Sequence, residues 1–251
     1  MNIPVITSIL LGSLIFAIVL GRCLSHLLPE HHLGSDTKDT VKLSMGLIAT
    51  MTALLLGLLV SSAKDTYDSA KQEVTQMAAK ISFLDRILKG YGPETEEFRI
   101  QFRSLVKKAV DRIWPDKYEE SYQYSADPEV SNIVFLTIQS LTPRDDAQRS
   151  LKAQAVTLIL ELGQIQSVLM VQSVRSISKP LLIMVICWLF VIFLSFSMIS
   201  PRNAIATITL IVSALSVTGA VFLILELDHP FSGILKISSE PLLNALNLIS
   251  K

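Results

Sequence analysis

The groups able to do chemistry are few, and they stand at the edges of apolar runs. Arg22 closes the first run; Glu226 and Asp228 close the last. A fixed positive charge beside hydrocarbon snorkels, pairs or attracts anions at a pore mouth. Carboxylates in that setting ring an axis, bind a cation or simply mark the membrane surface. His26, Glu30, His31 and His32 are of metal-ligating type, but a solvated loop is the better reading of them. In the second run Ala49, Ala53, Gly57 and Ser61 recur every four residues, with Thr50 beside them, and so share one ridge of a helix. Such a ridge either lets helices pack closely or lines a pore. The chain has no glycine-rich phosphate loop, no H-E-x-x-H and no nucleophile elbow. No acid, base and nucleophile converge. No catalytic residue, metal site or cofactor is expected.

The elements that hold these groups are membrane spans. Half of the 251 residues are hydrophobic, and the mean hydropathy is +0.49, too apolar for an ordinary soluble domain. The formal net charge is zero, so no basic face suggests nucleic acid. Charge is concentrated in the middle: 16 of 22 Lys+Arg and 16 of 22 Asp+Glu lie between Lys64 and Lys179. Four segments reach the roughly 20 apolar residues that a bilayer requires: Pro4–Leu28, Leu43–Ala63, Pro180–Ser200 and Ala204–Leu225. The first lacks a basic leader and a small-residue cleavage site, and reads as a retained span. Cys23 and Cys187 read as small buried hydrophobes.

An even number of spans puts both termini and the middle domain on one side. Lys64, Lys71, Lys80, Arg175, Lys179 and Lys236 lie near membrane ends on that side; Arg22, Lys38, Lys42 and Arg202 lie on the other. The bias places the domain and the termini in the cytoplasm. The third span is bulky and aromatic, as suits a lipid-facing position. The second and fourth carry small and hydroxyl residues, as suits the interior.

Beyond Ala63 the second span meets no Gly or Pro until Gly90. Tyr67, Ala70, Val74, Met77, Ile81, Leu84 and Leu88 alternate at three and four residues, a heptad seam. The spacing predicts one helix ended by Gly90 and Gly92-Pro93. Further helices are predicted over Glu94–Trp114, from Asp127-Pro128 to Leu141, and over Pro143–Ser178. The last has Leu151, Ala155, Leu158, Leu162, Ile165 and Leu169 as its seam. The two long seams are expected to face each other as a stalk. Glu161 is expected to pair with a base on a neighbouring helix. The segment Asp116–Ala126 reads as a flexible loop, and Tyr118–Tyr124 within it as a docking point. The organisation is thus a first membrane hairpin (1–63), a helical domain (64–179), a second hairpin (180–225) and a C-terminal segment (226–251). In that segment Asp228, Pro230, Phe231, Ser232 and Gly233 form a membrane-exit hinge. A short helix from Ser239-Glu240-Pro241 then folds back along the membrane or against the stalk.

The order of spans, the transition LLLGLLVSSAKDTYDSAKQEV (Leu54–Val74) and the exit LDHPFSG (Leu227–Gly233) resemble the bacterial bestrophin-like domain family of integral membrane proteins. The resemblance covers nearly the whole chain. It implies the plan of the bestrophins: pentameric anion channels with four spans per subunit, cytosolic termini, a large helical cytosolic part and a pore lined mainly by the second span.

The reading is therefore an all-α chain of four transmembrane helices, with a cytoplasmic helical stalk between the second and third. It is expected to form a ring in the bacterial inner membrane. It would pass small inorganic ions along Ala49, Thr50, Ala53, Gly57 and Ser61, with the lipid bilayer as its other partner. The competing reading is a non-conducting, membrane-anchored sensor or scaffold that acts through the stalk.

Overall fold

The computed structural model describes residues 3–27, 35–114, 128–174, 179–201 and 203–249. Eight α-helices carry the described chain: α1 (Ile3–Leu27), α2 (Ser35–Tyr91), α3 (Glu96–Ile113), α4 (Pro128–Gln139), α5 (Asp146–Val174), α6 (Lys179–Ile199), α7 (Ala204–Leu227) and α8 (Glu240–Leu248). They form two compact units. One holds Met1–Asp65 and Ser176–Asp228, the other Thr66–Arg175 and His229–Lys251. The first is called here the apolar unit, the second the stalk unit.

Among the described residues five helices are long and apolar enough to cross a bilayer, where four were expected. The fifth, within α5, is the least apolar, with hydropathy 1.4 against 2.2–2.8 for the others. It enters that range because an apolar seam and many uncharged polar residues share one helix.

In the apolar unit, α1 packs on both α6 and α7. Leu10, Leu14, Ala17 and Ile18 of α1 are buried with Leu182, Val185, Leu189 and Phe193 of α6 and with Ala214, Val221 and Ile224 of α7. The α1–α6 crossing is close at Gly21, where an added Cβ would stand 2.5 Å from the Leu194 carbonyl oxygen. The Ser197 hydroxyl donates to the Ile18 carbonyl at 2.5 Å in the same crossing. The bulky third span is therefore not simply peripheral. Only part of its surface is free, because glycine on α1 admits it to backbone contact. Cys23 and Cys187 are exposed, not buried; a thiol is apolar enough to stand on an outer helix face in hydrocarbon.

The helix α2 starts earlier than expected and does not stop at Gly90. A single helical glycine costs only about 1 kcal/mol, which neighbouring turns absorb. Gly92 ends the helix with φ of +138°, a backbone state that L side chains rarely adopt, and Pro93 opens a 3-10 turn to Thr95. Thr95 is fully buried, and its hydroxyl reaches the Leu88 carbonyl at 2.6 Å, closing the helix end.

The stalk unit has one core. Ala70, Val74, Ile81, Leu84 and Leu88 of α2 are buried with Ala155, Leu158, Ile165 and Leu169 of α5, while Tyr67, Met77, Leu151 and Leu162 are partly buried against them. Both seams therefore contribute to the same core. The α3 face adds Phe98, Phe102, Val106 and Val110. Ion pairs between its helices help to knit this unit. Arg99 grips Asp85 through Nε at 2.7 Å and Nη2 at 3.0 Å. Lys80 Nζ meets Glu161 Oε2 at 2.6 Å and is the base that Glu161 lacked in the sequence. A half-open apolar cleft of about 130 Å³ lies among Met77, Phe102, Val106, Val134, Ile159 and Gly163.

Candidate functional site

Opposite faces of α2 differ in the apolar unit. Met45, Thr52, Leu59 and Ala63 are buried on one face, spaced at seven, seven and four. Thr50, Ala53, Gly57 and Ser61 stand exposed on the other, with Ala49 half-buried at its edge. A Cβ added to Gly57 would meet nothing within 4 Å. Beside this strip runs a second exposed one, Leu43, Leu47, Leu54 and Leu58. The Thr50 hydroxyl donates to the Leu47 carbonyl at 2.8 Å, which commits its proton and leaves its lone pairs facing outward. The free side of α2 is thus part small and hydroxyl-bearing, part aliphatic.

The charged candidates lie elsewhere. Arg22 is partly exposed as a residue, but its Nε and Nη2 are buried without a hydrogen-bond partner among the described residues. Glu226 and Asp228 are 3% and 8% exposed, so both carboxylates lie inside the subunit. Asp228 caps α7, its backbone N–H donating to the Ile224 carbonyl at 3.1 Å. His26 is exposed, whereas Glu30, His31 and His32 fall outside the described residues. Among the described residues no group of three or more His, Cys, Asp or Glu could hold a metal ion.

The exit segment is a closed turn of the stalk unit. The Ser232 N–H donates to the His229 carbonyl at 3.1 Å, and the Ile237 N–H to the Pro230 carbonyl at 2.8 Å. Gly233 takes φ of +84°, the left-handed state a glycine supplies at little cost. Phe231 meets Trp114 edge-on at 5.9 Å, and Trp114 Nε1 donates to the Ile237 carbonyl at 2.7 Å. Leu242, Ala245, Leu246 and Ile249 join the stalk core. Of the two expected destinations for this segment, the stalk is the one observed. The role of Trp114 was missed, because Trp114-Pro115 signals only a helix end. The docking point proposed at Tyr118–Tyr124 lies outside the described residues.

Comparisons with known proteins agree with this architecture. The family model described as "Bestrophin-like domain" matches residues 11–242. Two similar solved structures are variants of a bacterial bestrophin homologue from Klebsiella pneumoniae. An isoleucine-to-threonine variant aligns with TM-score 0.71 at 13% identity, over 96% of this chain and 98% of that one. A tyrosine-to-alanine variant aligns with TM-score 0.68 at 13% identity, over 95% and 99%. A further structure, described as a membrane protein with a glycine-to-alanine substitution, gives 0.68 at 14% identity, over 95% and 94%. No curated protein matches the sequence. The family match spans most of the chain, and the apolar helices mark it as a membrane protein, so the chain belongs to the bestrophin-like domain family.

Proposed function

We propose that the chain is one subunit of a homo-oligomeric ion channel in the bacterial inner membrane, with α2 lining the pore. The observation that carries this reading is the exposed strip Thr50, Ala53, Gly57 and Ser61. A helix face bathed only in lipid gains nothing from small and hydroxyl residues, whereas a water-filled axis needs width and weak, exchangeable polar contacts. The adjacent leucines would meet lipid or the next subunit.

In this reading α1, α2, α6 and α7 cross the membrane, and the stalk unit and both termini are cytoplasmic. The helix α5 stays outside the bilayer. Its seam is already buried in the stalk core, its Glu161 is paired, and Lys152 Nζ donates to the Gln139 and Leu141 carbonyls. The small-residue ridge, the family membership and the weak hydropathy of α5 support this topology together.

The test is flux of potassium and chloride through liposomes that hold the purified protein, with its subunit count taken by native mass spectrometry. Gly57→Leu should abolish flux and leave the assembly mass unchanged. Undiminished flux in Gly57→Leu would sink the pore assignment; a monomer in native lipid, or no flux in the parent protein, would sink the channel. The apolar cleft of the stalk unit favours the scaffold reading as second choice; one stoichiometric partner recovered together with absent flux would establish it.

A further inference from the structure

Arg22 is placed as if it awaits a ligand. Its guanidinium is charged at any physiological pH and carries five N–H donors. Nε and Nη2 are buried and unpartnered. Burying the donors of a charged group without acceptors costs more than burying neutral ones. A snorkelling arginine avoids that cost by putting its terminal nitrogens in water, which Arg22 does not do with Nη2.

The helices packed together in this unit, α1, α6 and α7, supply no countercharge at this end. Neither α1 nor α6 contains an acidic residue, and the one acid of α7, Glu226, lies at its far end. Asp39 is already paired with Lys42 at 3.1 Å.

With α1 taken as a membrane span, as in the proposed function, helix length sets the depth of Arg22 and packing sets the rotation of its helix. Arg22 lies 19 residues past Ile3 in one helix, a rise of about 29 Å at 1.5 Å per residue. The hydrocarbon layer is about 30 Å thick. With Ile3 at one membrane surface, Arg22 therefore stands at the headgroup level of the other. One residue earlier, Gly21 is locked against the α6 backbone, and the Ser197–Ile18 hydrogen bond holds the same crossing. α1 cannot rotate there without driving side chains into the Leu194 carbonyl. The Arg22 side chain therefore leaves the helix on one fixed side.

We propose that Arg22 anchors a binding site for a phosphate oxoanion at this end of the apolar unit, supplied by a phospholipid headgroup or by a soluble phosphate. A planar guanidinium matches two phosphate oxygens at once, and at headgroup depth phosphodiesters are the most abundant anions. The ligand gives the buried nitrogens acceptors after a small rotation of the arginine stem. This site does not depend on whether the protein conducts.

The test uses the delipidated full-length protein in detergent. Native mass spectrometry follows the binding of phosphatidylglycerol, of a diacylglycerol with the same chains and of inorganic phosphate. The parent protein should retain phosphatidylglycerol at least about tenfold more tightly than Arg22→Gln, a difference of one decade in dissociation constant, with Arg22→Lys between them. Diacylglycerol should bind both alike. Displacement of the lipid by millimolar inorganic phosphate assigns the site to a soluble anion; resistance to displacement assigns it to lipid. Equal phosphatidylglycerol affinity in the parent and in a folded Arg22→Gln overturns the proposal. Should Arg22→Gln fail to fold, thermal stability of the parent decides: stabilisation by phosphatidylglycerol alone sustains the site, and equal stabilisation by both lipids overturns it.

Discussion

Trp114 donates its indole N–H to the Ile237 carbonyl across 123 residues of chain, at 2.7 Å. That bond and the edge-on contact with Phe231 fasten the C-terminal segment to the end of α3. Trp114→Phe keeps an aromatic ring but loses the bond, and should destabilise the stalk unit by about 1 kcal/mol. Trp114→Ala loses the packing as well and should cost about 3 kcal/mol. Limited proteolysis near Gly233 checks both: cleavage should be faster in Phe and fastest in Ala. Unchanged cleavage in Ala would show that α8 is held without this anchor.

Gly21 and Gly57 make a matched pair. Both sit in apolar helices, yet an added methyl meets the Leu194 carbonyl oxygen at 2.5 Å in one case and nothing within 4 Å in the other. Alanine is the better helix former by about 1 kcal/mol. Gly57→Ala should keep that gain within the subunit. Gly21→Ala should lose it and more, because backbone must move, for a net cost of about 1–3 kcal/mol. Thermal unfolding in a fixed detergent measures both; a Gly21→Ala as stable as the parent would mean that the α1–α6 crossing is looser than described.

Tyr91 offers a pH test in the stalk unit. Its hydroxyl is buried and unpartnered. Burial pushes its pKa above the ordinary value of 10.0, Glu94 and Asp145 add to the rise, and Arg144 opposes it. A raised pKa means that the unfolded chain releases the proton first. Stability from this group is therefore fully present below pH 10 and is lost as pH climbs through the folded pKa. Tyr91→Phe removes the hydroxyl and its desolvation cost. The variant should be about 1 kcal/mol more stable at neutral pH and should lose less stability than the parent above pH 10. Denaturant unfolding at pH 7 and pH 10.5 measures both; a parallel fall in parent and variant would place the titration elsewhere.

Much of the fold was legible because it rests on local rules. The α2 seam from Tyr67 to Leu88 and the α5 seam from Leu151 to Leu169 follow from spacing alone, since an apolar stripe on a helix must be covered. Gly92-Pro93, Pro128 and Ser239-Glu240-Pro241 set helix ends within a few residues, because proline and left-handed glycine constrain the backbone wherever they stand. The ridge on α2 was also visible, as a period of four.

Partners were not legible. Nothing in the sequence says that Glu161 meets Lys80 and not another base, that Trp114 reaches Ile237, or that Gly21 and not Gly57 carries the tight crossing. Each depends on which helix faces arrive together, and composition leaves several arrangements nearly equal in energy. Hydropathy also counted α5 among possible spans, because it averages along a helix and cannot see a seam already covered. By itself the sequence determined which segments are helical and which faces are apolar, since both follow from backbone constraint and from water's exclusion of hydrocarbon. Only the tertiary structure decided which faces meet, leaving the small-residue strip of α2 uncovered and two nitrogens of Arg22 buried without acceptors.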